Sequence, residues 1–268
     1  METDEDLETG YGAGTPGGDN LCNDYAQGLA IGFRELAEAR GDHVHADDDI
    51  ILTDRSSASP FGNVAIVRRP VEAGEWPALA ARMHDFFDGR PGGPFLVFSA
   101  WPTTDLRGHR FGLVGHPPLM FRPTGPVDDA PIPGFEIRPV ADEDTATDWE
   151  STLVHGYPEP ALQPFVAGCF LPEEGLAAPG WRHWVGYLDG APVATASAYV
   201  GGHHVDVEFI STMPAARGKG IGRAVTAAAT LAAPDRPAAL ISSDLGRTVY
   251  ERLGYLPLLR FTLWAGHR

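Results

Sequence analysis

PAARGKGIGRA, residues 214–224, decides how the rest of the chain is read. A strand-like run, 203–212, leads into it. Behind it, Ile221, Ala224, Val225, Ala228 and Ala229 recur at i, i+3, i+4, i+7 and i+8, one apolar face of a helix. The helix therefore starts at the glycines, with its unpaired N–H groups and positive dipole end directed outward. Gly218, Gly220 and Gly222 let the backbone come close to an anion, and Arg217, Lys219 and Arg223 add charge. Lys219 is the only lysine in a chain of formal charge −16. The stretch is not a P-loop, because Lys219 is followed by Gly220 and not by serine or threonine. Nor is it a dinucleotide fingerprint, since Val225 stands where a glycine or alanine is needed. A cradle for phosphates is the expectation.

The whole chain sets the bounds. Its 268 residues, 43% of them apolar, suit a globular protein of one large or two small domains. No apolar run reaches the roughly 20 residues of a membrane span. The acidic start METDEDLETG lacks the order of a signal peptide. Cys22 and Cys169 are far apart with no CxxC, which implies a reducing cytoplasm and no disulfide framework. The negative charge makes nucleic acid and anionic membrane poor partners and steers a cationic substrate inward.

Organisation follows from periodicity and punctuation. Residues 1–20 hold six acids and a glycine-rich run, the composition of a disordered tail. A helix is predicted over 24–40 from Leu29, Phe33 and Leu36, with Gly41 as its stop. Strands at 50–53, 63–67 and 95–98 and an amphipathic helix at 75–89 follow. RPTGPVDDAPIPG (122–134), with four prolines, is a linker between a first unit, 21–121, and a second, 135–268. The second unit reads as strand 135–140, helix 142–155, an irregular stretch 156–180, and strands 181–188, 192–200 and 203–212. Hairpin turns fall at Asp189-Gly190 and Gly201-Gly202. After the quoted loop come a strand at 238–242, a helix at 244–253 and a last strand, LPLLRFTLW. RFGLVGHPPLMF (110–121) echoes RLGYLPLLRFTL (252–263), as in a duplicated unit, but the first half has no counterpart of the glycine loop.

Arg217-x-x-Gly220-x-Gly222 resembles the R/Q-x-x-G-x-G/A motif of the GNAT superfamily of N-acetyltransferases. Tyr250-Glu251-Arg252-Leu253-Gly254-Tyr255 is similar to that family's second motif. The motif-bearing likeness covers about 135–268, and 21–121 resembles the degenerate amino-terminal half of double-length members. The resemblance implies an α/β fold with a mixed, mostly antiparallel sheet flanked by helices, and acetyl-CoA as co-substrate. It places the coenzyme pyrophosphate on Arg217, Gly218, Lys219, Gly220, Ile221 and Gly222. The pantetheine arm would lie on the backbone of Ile210, Ser211 and Thr212, where family members commonly splay or bulge the strand. Ser243 either contacts the cofactor or caps the helix behind it.

Acyl transfer to an amine needs a deprotonated nucleophile and a proton for the leaving thiolate. With period two, Val205, Val207 and Phe209 share a core face, while His204, Asp206 and Glu208 share the face toward a cleft or solvent. Glu208 is the first choice for the base. Tyr250, where the family's tyrosine approaches the coenzyme sulfur, is the expected acid. Tyr157, Glu159 and Asp206 are candidates for the acceptor side. His43, His45 and the acids at 47–49 suggest a solvated turn, and no metal is expected. The reading is direct acetyl transfer to the amine of a small cationic molecule by a cytoplasmic monomer or homodimer. Its rivals are a protein or peptide N-acetyltransferase, another acyl-thioester transferase or lyase, and a non-catalytic coenzyme A-binding module.

Overall fold

The computed structural model describes residues 21–127, 131–157, 159–244 and 246–268. The acidic tail and part of the linker lie outside them. In chain order the elements are α1 (Leu21–Arg40), β1 (His43–Ala46), β2 (Ile50–Asp54), β3 (Asn63–Val67), α2 (Trp76–Phe87), β4 (Phe95–Ser99), β5 (Phe111–Gly115) and β6 (Pro118–Arg122). Then come β7 (Phe135–Pro139), α3 (Glu143–Gly156), β8 (Trp181–Leu188), β9 (Ala191–Tyr199), β10 (Val205–Thr212), α4 (Ile221–Thr230), β11 (Ala238–Ile241), α5 (Arg247–Glu251), β12 (Leu256–Arg260) and β13 (Thr262–Gly266).

Local signals explain most of these elements. Asp142 caps α3 by accepting from the Thr145 amide while the Thr145 hydroxyl reaches back, a reciprocal capping box. Asp189 and Gly190 both hold positive φ, as a tight hairpin between β8 and β9 requires. The apolar face of α4 is buried at Ile221, Ala224, Val225, Ala227 and Ala229, while the predicted Ala228 is only half-buried. The helix expected over 244–253 shortens to Arg247–Glu251. One strand unforeseen in sequence, β1, edges the first sheet.

The two sheets exchange strands. The first has the order β1-β2-β3-β4-β13-β5 and the second β12-β6-β11-β10-β9-β8-β7. The echoed segments are therefore each two strands that part company. The last strand expected as one run, 256–264, splits at Phe261 into β12, on the edge of the second sheet, and β13, inside the first. In the earlier copy β5 stays in the first sheet and β6 crosses into the second. Arg122, placed at the start of the linker by composition, ends β6 and is buried. Its guanidinium donates to the carbonyls of Leu253, Gly125 and Pro126.

Helix α1 lies between the sheets. Tyr25, Leu29 and Phe33 pack in one core with Ile51 and Ile66 of the first sheet and Ala239 of the second. Gly28 and Gly32, one turn apart, meet the second sheet. A Cβ on Gly28 would stand 2.7 Å from Asp206 Oδ2, and one on Gly32 2.8 Å from Tyr199 Cγ. Only a residue without a side chain lets the helix come this near.

Candidate active site

Strand β10 builds the site because its ladder breaks. It pairs in parallel with β11 only at Val205 and Asp206, after which the two strands diverge. Against β9 the register shifts between Glu208 and Ser211, leaving Phe209 and Ile210 without opposite partners. The bulge expected from the resemblance is present. Phe209 takes φ +52°, an unusual conformation for an aromatic residue, and its carbonyl accepts from Thr195 Oγ1 at 2.8 Å.

The bulge overturns the period-two reading. Val205 and Val207 join the core under α4, but Phe209 turns to the opposite face among Phe33, Trp149, Phe170 and Trp181. Nor does the polar row face solvent. His204 and Asp206 are buried under α1, with His204 Nε2 2.5 Å from Asp206 Oδ1 as a charge contact without the alignment of a hydrogen bond. Asp206, 1% exposed, is therefore sealed from the cleft in which an acceptor was expected to meet it.

Glu208 is half-buried. Its Oε1 accepts from the Tyr25 hydroxyl at 3.0 Å. Burial, then the Asp206 charge, push its pKa up to about 8, and the Tyr25 hydrogen bond pulls the other way. The pKa of Tyr250 is raised by burial first and then by Tyr157, Tyr255 and Glu208. Tyr157 is exposed, in edge contact with Phe61 at 5.7 Å between ring centroids, and its pKa is raised by burial and by Glu208 and Glu159. Electrostatic coupling thus links Glu208 to Tyr250 and Tyr157, and Tyr157 to Glu159.

The glycine loop lies at the other end of β10. Gly218 and Gly220 hold φ +77° and +83°, and a Cβ on Gly218 would meet nothing within 4 Å. Ala224 N–H closes the first turn of α4 on the Gly220 carbonyl, so the amides of Ile221, Gly222 and Arg223 precede the helical ladder. The Ile221 side chain itself is core. Lys219 is exposed and Arg223 half-buried. Arg217 turns toward the protein, donating to the carbonyls of Thr212 at 3.0 Å and Gly156 at 2.8 Å, and so ties the loop to β10 and α3. Ile210 packs on the α4 core, and the Ser211 hydroxyl donates to Thr152 O. Ser243 Oγ accepts from the Gly246 amide at 3.1 Å in the turn before α5, which itself has no side-chain cap.

The stretch 156–180 is held by a buried carboxylate. Glu150 of α3 accepts from the amides of Gly168, Phe170 and Leu171. Arg40 and Arg55, joined by Asp42, donate to the carbonyls of residues 168–170 from the other side. The histidines and acids at 43–49 are absorbed differently: Asp47 and Asp49 pair with Arg69 and Arg82. Tyr25, Gly28 and Phe61 were not singled out from sequence. The four-residue spacing of Gly28 and Gly32 was the available signal for a close helix contact.

A bulged strand opening beside its parallel neighbour, followed by a glycine turn into a helix, is the arrangement of the GNAT fold. Residues 179–257 match the family model described as the acetyltransferase (GNAT) domain, and the chain carries such a domain. A GCN5-related N-acetyltransferase from Kribbella flavida superposes with TM-score 0.68 at 21% identity, covering 92% of this chain and 96% of that one. Another from Sphaerobacter thermophilus gives 0.53 at 14%, covering 92% and 94%. A tandem GNAT protein from the clavulanic acid biosynthesis pathway gives 0.51 at 15%, covering 81% and 78%, in keeping with the double-length architecture. No curated protein matches the chain by sequence. No helix among the described residues is long and apolar enough to cross a membrane.

Proposed function

We propose that the protein transfers an acetyl group from acetyl-CoA directly to the primary amine of a small cationic molecule. The observation that carries this reading is the half-buried carboxyl of Glu208, held at Oε1 by the Tyr25 hydroxyl on a bulged strand that opens beside its parallel neighbour, with burial pushing its pKa up to about 8. Glu208 as carboxylate takes the proton from the ammonium. The freed amine attacks the thioester carbonyl, the C–N bond forms and the C–S bond breaks. The Tyr250 hydroxyl supplies the proton to the leaving sulfur, and the second proton shed by the nitrogen as the amide forms returns to the Tyr250 oxygen. An acyl donor ending in a pyrophosphate suits the other end of β10, where open glycines, free amides and Lys219 meet. Acids on the cleft side and cations on the loop side divide the two substrates by charge.

The test is a panel of amines with acetyl-CoA, followed by thiol release. Polyamines, amino sugars and amino-acid derivatives are expected to respond, and neutral or anionic amines much less. Silence across the panel, with coenzyme A still binding, would favour a binding module instead.

The loop carries its own prediction. Gly220→Val places a branched side chain at φ +83° and 3.6 Å from Ile132 Cδ1. Such strain costs about 1–3 kcal/mol, so coenzyme A binding by calorimetry is expected to weaken about tenfold or more. Lys219→Arg, which keeps the charge, is expected to bind within about twofold of the parent. Normal binding by Gly220→Val would remove the cradle.

A further inference from the structure

We propose that Tyr25, on the first helix, is a positioning residue for the Glu208 carboxyl, so that α1 supplies a working part of the transferase site. The inference rests on Glu208 acting as the base. It joins residues 183 positions apart, through a hydrogen bond from the Tyr25 hydroxyl to Glu208 Oε1 at 3.0 Å.

The geometry suits that role. Tyr25 has no exposed surface, and its ring is set edge-on against Phe261 and tilted over His204, both at 5.7 Å between centroids. Gly28, three residues on, permits the close approach to Asp206 that brings the hydroxyl to β10. A carboxyl has two oxygens, and holding one fixes which of them works. With Oε1 engaged by Tyr25, Oε2 is the oxygen left to take the proton. The phenol remains a donor throughout, because burial and then the neighbouring carboxylates hold its own pKa well above the usual tyrosine range.

The groups facing Glu208 come from four elements: Tyr25 of α1, Asp206 of β10 with His204 beyond it, Tyr157 after α3, and Tyr250 of α5. Asp206 disfavours the carboxylate and Tyr25 favours it. Removing the hydroxyl alone therefore raises the Glu208 pKa. A hydrogen bond to a charged group is strong enough to move it by about one pH unit.

The experiment follows the Glu208 carboxyl by carbon NMR in glutamate-labelled full-length protein, its resonance assigned by its loss in Glu208→Gln. Tyr25→Phe, which keeps the ring, is expected to move the titration up by about one unit. Tyr25→3-fluorotyrosine, a stronger donor of nearly the same shape, is expected to move it down, and it covers the case in which the phenylalanine variant does not fold. In kinetics with a responding amine, the acidic limb of kcat is expected to follow the titration while KM for acetyl-CoA stays put. An unmoved titration in both variants overturns the proposal. The base reading fails separately, if Glu208→Gln keeps full kcat and the same pH profile.

Discussion

Glu208→Gln is expected to lower kcat about 10²–10⁴-fold, the usual contribution of a positioned general base. The amide keeps the shape and still accepts from Tyr25, so the loss would report the missing proton acceptor and not a collapsed cleft. The parent enzyme's kcat is expected to rise with pH to a plateau above about 8, where Glu208 is ionised. That limb should vanish in the variant. Stability should move the opposite way. A carboxyl whose pKa is raised in the folded state holds its proton more tightly there than when unfolded. Its stabilising contribution is complete below the ordinary glutamate pKa and is lost as pH rises toward about 8. Glutamine escapes that loss, so at pH 8–9 the variant should melt higher, by about 2–4 °C for each kcal/mol regained. Differential scanning calorimetry beside steady-state kinetics checks both arms. A variant with parental kcat and an unchanged limb would remove Glu208 from the chemistry. A variant that melts lower at pH 9 would contradict the burial that raises its pKa.

What the chain's order of residues makes legible is what is decided locally. The glycine turn into α4 and the Asp189-Gly190 hairpin rest on neighbours a few positions away, and each stands in the structure as read. Glu208 and Tyr250 also lie on the strand and the helix read for them, and the two are electrostatically coupled. The failures share a cause at long range. Nothing near Phe209 announces a positive φ; the conformation persists because four aromatic neighbours, from α1, α3, the 156–180 stretch and β8, fix the ring. The burial of Asp206 depends on a helix almost two hundred residues earlier. Likewise, β12 and β13 form one apolar run in sequence, and only partners from the first half of the chain divide it between two sheets.

That division predicts the largest loss of stability. Trp264 lies in the middle of β13, opposite Val97 of β4 on one side and Leu113 of β5 on the other. It is 4% exposed, packs with Ile50, Phe95 and Phe111, and donates from Nε1 to Thr103 Oγ1 at 3.0 Å. Trp264→Ala should cost about 3–5 kcal/mol, a large share of the 5–15 kcal/mol that holds an ordinary domain. Deleting residues 262–268 should be worse. It removes an inner strand, leaves the facing edges of β4 and β5 unpaired, and strips Asp54 of Arg268, which bonds it at 2.7 Å. The truncated chain is expected in the insoluble fraction. The point mutant tests the coupling, because β6 makes the reciprocal crossing with Met120 fully buried in the second core. Neither sheet completes its core without a strand from the other, so Trp264→Ala should lower one shared transition. Urea unfolding followed by tryptophan fluorescence and by loss of coenzyme A binding should give a single midpoint, displaced equally for both probes. Two separated midpoints, with coenzyme A binding surviving after the first sheet melts, would mean that the exchanged strands join two structures that fold apart.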